Sequence, residues 1–258
     1  MPLLEACGVT HYFGGLCAVS GFDLALEQGE LLGIIGPNGA GKTTVFNLIT
    51  GVYRANVGTI LFDGREIVGL APSAITARGI SRTFQNIRLF KNLTVLDNVR
   101  VAHYAQVKYS ILEALLQCGR FGCEEERITA RAMELLAAFA LDDCADEAAG
   151  NLPYGMQRRL EIARALATGP KLLLLDEPAA GMNPNEIDRL MELIHWIRKK
   201  FVVTIILIEH QMRLVMGICE RLLVLDFGAT IARGKPAEIR SDPRVLEAYL
   251  GEEAPHGG

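Results

Sequence analysis

Gly36-Pro37-Asn38-Gly39-Ala40-Gly41-Lys42-Thr43 is the stretch on which the fold turns. Its glycine spacing, closed by a lysine and a hydroxyl, matches the P-loop pattern. Upstream, Leu31 to Ile35 is an apolar run sized for a buried strand; downstream, Val45, Leu48 and Ile49 open a helix. The glycines let backbone N–H groups line a concavity, and the helix N-terminus adds partial positive charge. Lys42 can neutralise β- and γ-phosphates as a point charge, and the Thr43 hydroxyl can ligate Mg²⁺. Gly36 through Thr44 are therefore the candidate contacts of a nucleoside triphosphate.

A second stretch, Leu172-Leu173-Leu174-Leu175-Asp176-Glu177, delivers an acidic pair to the carboxyl end of an apolar strand. That arrangement suits Asp176 to hold a metal and Glu177 to orient and deprotonate a water attacking the γ-phosphate. Alone, the pair also reads as exposed carboxylates at a strand end, and the P-loop displaces that alternative. Pro178 stops the strand.

Around these two anchors, strands are expected over Val19 to Leu26, Gly58 to Phe62, Ile80 to Thr83, Val202 to Ile208 and Arg221 to Leu225. A helix carrying Ile187, Leu190, Met191, Ile194 and Ile197 separates two of them. Strands alternating with helices imply a mainly parallel sheet covered on both faces. The middle of the chain is helical. Thr94-Val95-Leu96-Asp97 has the pattern of an N-cap, and Ile128, Ala132, Leu135, Leu136 and Phe139 share a helical face. Glu124-Glu125-Glu126 reads as a solvated first turn favoured by the helix dipole.

Composition bounds the rest. The 258 residues are 50% hydrophobic and 22% charged, which excludes disordered, collagenous and coiled-coil chains. The net charge of -4 argues against nucleic acid as a partner. No apolar run approaches the ~18–20 residues that span a bilayer; the longest, Phe201 to Ile208, is strand-sized. The mean hydropathy of +0.24 is nevertheless high. Strands buried on both faces explain much of it. The six cysteines, with Cys118 and Cys123 the nearest pair, form no disulfide or metal spacing and read as free thiols. With no signal peptide visible, a reducing cytoplasm is expected.

Further motifs narrow the class. The segment from Asn151-Leu152-Pro153-Tyr154-Gly155-Met156 through Arg164-Ala165-Leu166 resembles the signature of ABC ATPases. Four others then fall into place along the chain. The resemblance implies that Phe13, before Gly14-Gly15, stacks on adenine. It implies that Gln85, in Arg82-Thr83-Phe84-Gln85, lies near Mg²⁺ and the attacking water. His210, after Glu209, matches the switch histidine contacting the γ-phosphate, and Ala180-Gly181-Met182-Asn183 takes the D-loop place. Taken singly, Phe13 reads as core, Gln85 as a loop amide and His210 as a helix-start residue. Asn183 also suits an N-cap, with Pro184 first in the helix and Glu186 completing a capping box, and both readings can hold together.

The resemblance is closer than the superfamily. Tyr154, Arg158-Arg159-Leu160-Glu161-Ile162-Ala163-Arg164, Asp176 to Gly181, Ile208-Glu209-His210 and the ending Asp242 to Gly251 are similar to ATP-binding subunits of branched-chain amino-acid importers. Relatives of that subfamily serve urea or amide uptake and lipopolysaccharide export, and non-transport ABC ATPases are a further alternative. A stand-alone P-loop kinase or GTPase leaves Leu152 to Leu166 and His210 unexplained.

The resemblance implies an α/β fold. A P-loop NTPase core with a mainly parallel sheet and an N-terminal antiparallel β subdomain would take 1–85 and 161–251. An inserted helical subdomain would take 86–160, and 252–258 would be a frayed tail. It also implies catalytic Glu177, His210 and Gln85, with Mg²⁺ held by Thr43, Gln85 and Asp176. ATP would be sandwiched between the P-loop of one subunit and Tyr154 and Gly155 of a second ATPase subunit, identical or a sister. A permease would dock in a groove beside Gln85, serving indirectly a solute-binding protein, so the chain would lie on the inner face of the cell membrane. Two departures stand out. Pro153, Tyr154 and Met156 replace the usual serine, glycine and glutamine of the signature, and Asn183 replaces the D-loop aspartate, which puts the strength of dimerisation in question.

Overall fold

Alternation and its interruptions shape the first sheet. In the computed structural model, which describes residues 1–104, 113 and 120–250, β1 (Leu4–Phe13) pairs antiparallel with β2 (Leu16–Leu26). With β4 (Val57–Phe62) and β5 (Arg65–Glu66) they form a sheet of order β2-β1-β4-β5. β1 was not among the expected strands. Its register shifts between Ala6 and Val9, again at His11 and again at Tyr12, so the two-residue period that would reveal it is broken.

The second sheet holds the core. β3 (Leu31–Ile35) lies between β8 (Thr204–Ile208) and β9 (Arg221–Asp226), parallel to both; β7 (Leu172–Asp176) is parallel to β8 on its other side. Every residue of β3, β7 and β8 is buried, as expected of strands covered on both faces. The buried hydroxyl of Thr204 is satisfied by accepting from Gly29 N–H at 2.8 Å. β10 (Ala229–Gly234) runs antiparallel to β9 at the edge; with Ala232 alone buried and Ile231 its one large apolar residue, it has no apolar run to mark it.

The described helices begin with α1 (Lys42–Ile49) and α2 (Pro72–Ala77), followed by α3 (Val95–His103), α4 (Phe121–Ala138) and α5 (Tyr154–Ala167). After β7 come α6 (Pro184–Phe201), α7 (Met212–Ile218), α8 (Pro236–Arg240) and α9 (Pro243–Leu250). α6 buries Ile187, Leu190, Ile194 and Ile197, each contributing roughly 1.5–3 kcal/mol, and leaves Met191 half-buried. The Asn183 cap is complete. Its Oδ1 accepts from the N–H groups of Asn185 and Glu186, and Glu186 Oε2 accepts from Asn183 N–H at 2.8 Å. The expected strand from Val202 is shorter than its sequence suggests: the helix runs through Phe201, Val202 turns with φ 51°, and the strand starts at Thr204. The amphipathic period of α6 prevails over the local β preference.

The chain divides into two compact units, one of Met1–Ile75 with the chain from Lys171, the other Thr76–Pro170. The second is broader than the expected 86–160, because β6 (Ile80–Arg82) and all of α5 belong to it. Within it, Thr94 Oγ1 caps α3 by accepting from Asp97 N–H at 2.9 Å. Ile128, Ala132, Leu135, Leu136 and Phe139 are buried as their spacing predicts. The acidic run of α4 is more than a solvated turn: Glu125 accepts from Arg100 and from the Tyr104 hydroxyl, each at 2.9 Å, tying α4 to α3. Cys118 and the tail from Glu252 lie outside the described residues.

Candidate nucleotide site

Strand register builds the first half of the site. Ile208 on β8 stands level with Ile34 on β3 and with Asp176 on β7. The carboxyl ends of three adjacent strands therefore reach one edge, with β3 and β7 about 10 Å apart across β8. The P-loop leaves β3 there, Asp176 and Glu177 leave β7, and His210 follows β8. That edge is where open parallel sheets place ligands.

The loop's shape requires its first glycine. Gly36 has φ 148°, and a Cβ there would overlap the Leu225 carbonyl oxygen. Ala40 is buried; its N–H donates to Pro37 O at 3.2 Å and its carbonyl accepts from Gly228 N–H at 3.1 Å. Lys42 is buried as well, and its Nζ donates to Gly36 O at 2.6 Å and Pro37 O at 2.7 Å. The ammonium is thus fixed inside the loop's curve, where phosphate oxygens would meet it. Thr43 and Thr44 follow in the first turn of α1, while Asn38 and Gly39 lie on the exposed rim.

Asp176 is buried at the end of β7. Glu177 turns away with φ 44°, its N–H donating to Ile208 O at 2.9 Å. Such a backbone conformation is unfavourable for a side-chain-bearing residue, and here the β8 end holds it. Glu177 Oε2 lies 3.9 Å from Nδ1 of the half-exposed His210 ring. The structure thus brings together the proposed base and the proposed γ-phosphate contact. A group not singled out from sequence supports both. Glu209 is fully buried and accepts from the N–H groups of Ala179 (2.7 Å), His210 (3.1 Å) and Gln211 (3.3 Å). Burial pushes its carboxyl up, against the pull of those N–H groups. The signal was present: an acidic residue extending the apolar run of β8.

Phe13 ends β1 with its ring 44% exposed. Its ring lies nearly perpendicular to His11 and Tyr53, with centroids 4.7 and 5.2 Å away, and those two rings stack on each other at 5.4 Å. A half-exposed aromatic braced by two neighbouring rings suits stacking on a purine base.

Gln85, Tyr154 and Gly155 belong to the second unit. Tyr154 and Gly155 open α5 after Pro153, whose carbonyl accepts from the N–H groups of Met156 and Gln157. Both are exposed, and Gly155 has open space where a Cβ would stand. Gln85 lies in an irregular stretch whose backbone is held by α5 side chains: Arg158 Nη2 donates to Gln85 O at 3.0 Å.

The donor set fits Mg²⁺ in a limited sense. Among the described residues no cluster of three His, Cys, Asp or Glu side chains could hold a metal alone. A hydroxyl at Thr43 and one carboxylate at Asp176 match a cation that keeps waters and takes substrate phosphate oxygens.

Known proteins resemble this chain over nearly its whole length. Residues 19–180 match the model of the ABC transporter family, and residues 229–255 that of the branched-chain amino acid ATP-binding cassette transporter. The chain is 47% identical over 251 residues to the high-affinity branched-chain amino acid transport ATP-binding protein BraF of Pseudomonas aeruginosa, covering 97% of this chain and 98% of that one. Its fold is similar to the crystal structure of the ATP-binding cassette MJ1267 in its ADP conformation, with a TM-score of 0.84, 33% identity and coverage of 97% and 99%. It is also similar to the dimeric post-hydrolysis structure of the cassette MJ0796 bound to ADP and Pi, with a TM-score of 0.75, 25% identity and coverage of 90% and 98%.

Proposed function

This chain belongs to the ABC transporter family, and from that premise we propose that it is the ATP-hydrolysing subunit of an importer for branched-chain amino acids. The observation that carries the choice of solute is the match of residues 229–255 to the branched-chain cassette model. Those residues lie beyond the P-loop, the acidic pair and His210, so they distinguish this subfamily from ATPases sharing the same chemistry.

ATP lies along the carboxyl edge of β3, β8 and β7. Phe13 stacks on the base, the loop from Gly36 to Thr44 surrounds the phosphates, and Lys42 exchanges carbonyl partners for phosphate oxygens. Thr43 and Asp176, with Gln85, would hold Mg²⁺, which would supply neutralisation of phosphate charge. Glu177 takes the proton of the attacking water, and His210 contacts the γ-phosphate. Glu209 fixes the backbone from which both loops depart.

Two cassettes, identical or sisters, close head to tail with Tyr154 and Gly155 of each facing the other's nucleotide. The dimeric structure of the cassette MJ0796 supports pairing of two such subunits. The unit Thr76–Pro170 carries Gln85 and the start of α5, and a permease docks beside it, placing the chain on the inner face of the membrane. No described helix is long and apolar enough to cross a membrane.

Glu177→Gln keeps the shape of the side chain and removes the base. It should bind ATP as the parent does and lose ~10²–10⁴ in turnover. Near-normal hydrolysis in a phosphate-release assay would remove Glu177 from its role. Uptake of radiolabelled leucine against urea, in cells lacking this gene and complemented with it, tests the solute. Urea uptake alone restored would overturn the amino-acid reading.

A further inference from the structure

The irregular segment Phe84–Arg88 lacks the glycine geometry that shapes the P-loop, yet it has its own fixed scaffold. Arg158 and Glu161, one turn apart on α5, are each 1% exposed and pair at 2.7 Å. Both reach beyond each other to the backbone of that segment. Arg158 Nη1 donates to Phe84 O at 2.8 Å, and its Nη2 donates to Gln85 O at 3.0 Å and to the Tyr154 hydroxyl at 3.5 Å. Glu161 Oε1 accepts from the N–H groups of Phe84 at 3.3 Å and Arg88 at 3.2 Å.

A buried ion pair is a poor device for stability alone, because apolar residues of similar volume often serve as well. What apolar residues cannot do is satisfy two carbonyls and two N–H groups of a segment with no regular partner. The same guanidinium touches Tyr154, at the start of the signature helix. Any displacement of α5 is therefore imposed on the backbone of Gln85.

We propose that Arg158 and Glu161 are positioning residues for Gln85, coupling the start of α5 to the loop that presents Gln85 to the metal and water. The inference rests on the reading of Gln85 given above. Neither residue touches nucleotide; they act through the backbone from Phe84 to Arg88.

The test uses the purified full chain carrying Arg158→Met and Glu161→Met together, which removes the charges without leaving one unpaired. Amide exchange at Phe84 and Arg88 should quicken, and the Mg²⁺ concentration giving half-maximal ATP hydrolysis should rise ~10–100-fold. ATP affinity measured in EDTA should match the parent, since the P-loop is untouched. A purely structural role for the pair would move none of the Mg²⁺ dependence. Gln85→Ala is run alongside. If it shifts the Mg²⁺ dependence and the folded double variant does not, the proposal is overturned. If neither shifts it, the reading of Gln85 falls and the proposal with it. Should the double variant fail to fold, Arg158→Lys and Glu161→Gln replace it, each retaining part of the contact. An intermediate shift is then expected, and parent-like Mg²⁺ dependence in both overturns the proposal.

Discussion

The loop Gly36–Thr43 and the segment Phe84–Arg88, both proposed to present groups to the nucleotide, are held in shape by different parts of the chain. The P-loop is held by backbone: a glycine where a Cβ would strike Leu225 O, carbonyls closing on Lys42, and Gly228 N–H meeting Ala40 O. The segment around Gln85 is held by two side chains reaching in from a helix more than 70 residues away in sequence. The first device needs particular residue types at fixed spacing and is readable in a sequence. The second needs only an arginine and a glutamate on one helical face, a pattern shared with countless solvated helices.

The sharpest break of that contrast is Glu161→Leu alone. It strands the Arg158 guanidinium in the core and should cost about 3–5 kcal/mol, read by urea unfolding. The double apolar variant should recover only the part of that loss due to the stranded charge, because Phe84, Gln85 and Arg88 still lose the hydrogen bonds of the pair. Recovery to the parent's stability would mean the pair does not hold that segment.

On the backbone-held side, Gly36→Ala should destabilise by about 3 kcal/mol and abolish nucleotide binding, because strain and overlap act together. Gly39→Ala isolates strain: its φ is 76° with open space around a Cβ, so about 1–2 kcal/mol is expected. Equal losses at the two positions would show that overlap with Leu225 does not set the loop's shape.

Helix caps give a matched pair, one in each unit. Thr94→Ala and Asn183→Ala should each lower stability by about 1 kcal/mol in denaturant titrations. A much larger effect of Asn183→Ala on turnover than on stability would favour its D-loop role.

The smallest expected effect is electrostatic. Burial raises the Glu209 carboxyl, so the folded chain takes up a proton there more readily than the unfolded one. The stability this contributes is complete below the unfolded value of about 4.3 and is lost as pH rises through the folded value. Glu209→Gln lacks that proton, so its stability relative to the parent should improve across this window. Parallel stability curves from pH 4 upward would contradict the assignment.

These contrasts explain what could be read beforehand. The P-loop, the acidic pair after β7 and the strands β3, β7 and β8 were legible because glycine spacing and continuous apolar runs are local signals. β1 is hidden by its bulges, and β10 by its edge position with a single buried residue. Val202 lies where a helix and a strand share one apolar run, and only packing of α6 decides where the first ends. The contacts of Glu125, Glu161 and Glu209 were invisible for a common reason: each carboxylate's partners come from elsewhere in the chain or from backbone amides that only the fold positions.

The register of β3 carries one more consequence, in the order in which the chain is made. The P-loop is encoded within the first fifth of the sequence, yet both neighbours of the strand that launches it arrive near the end. The Arg221–Glu30 ion pair at that strand's other end spans 191 residues. At a synthesis rate of about 5–20 residues per second, the glycine loop emerges many seconds before β8 and β9 can flank it. A ribosome-bound fragment ending short of Thr204 therefore has the whole phosphate motif but not the sheet edge that shapes it. Nucleotide binding should begin late in translation, when the last central strands close over the first.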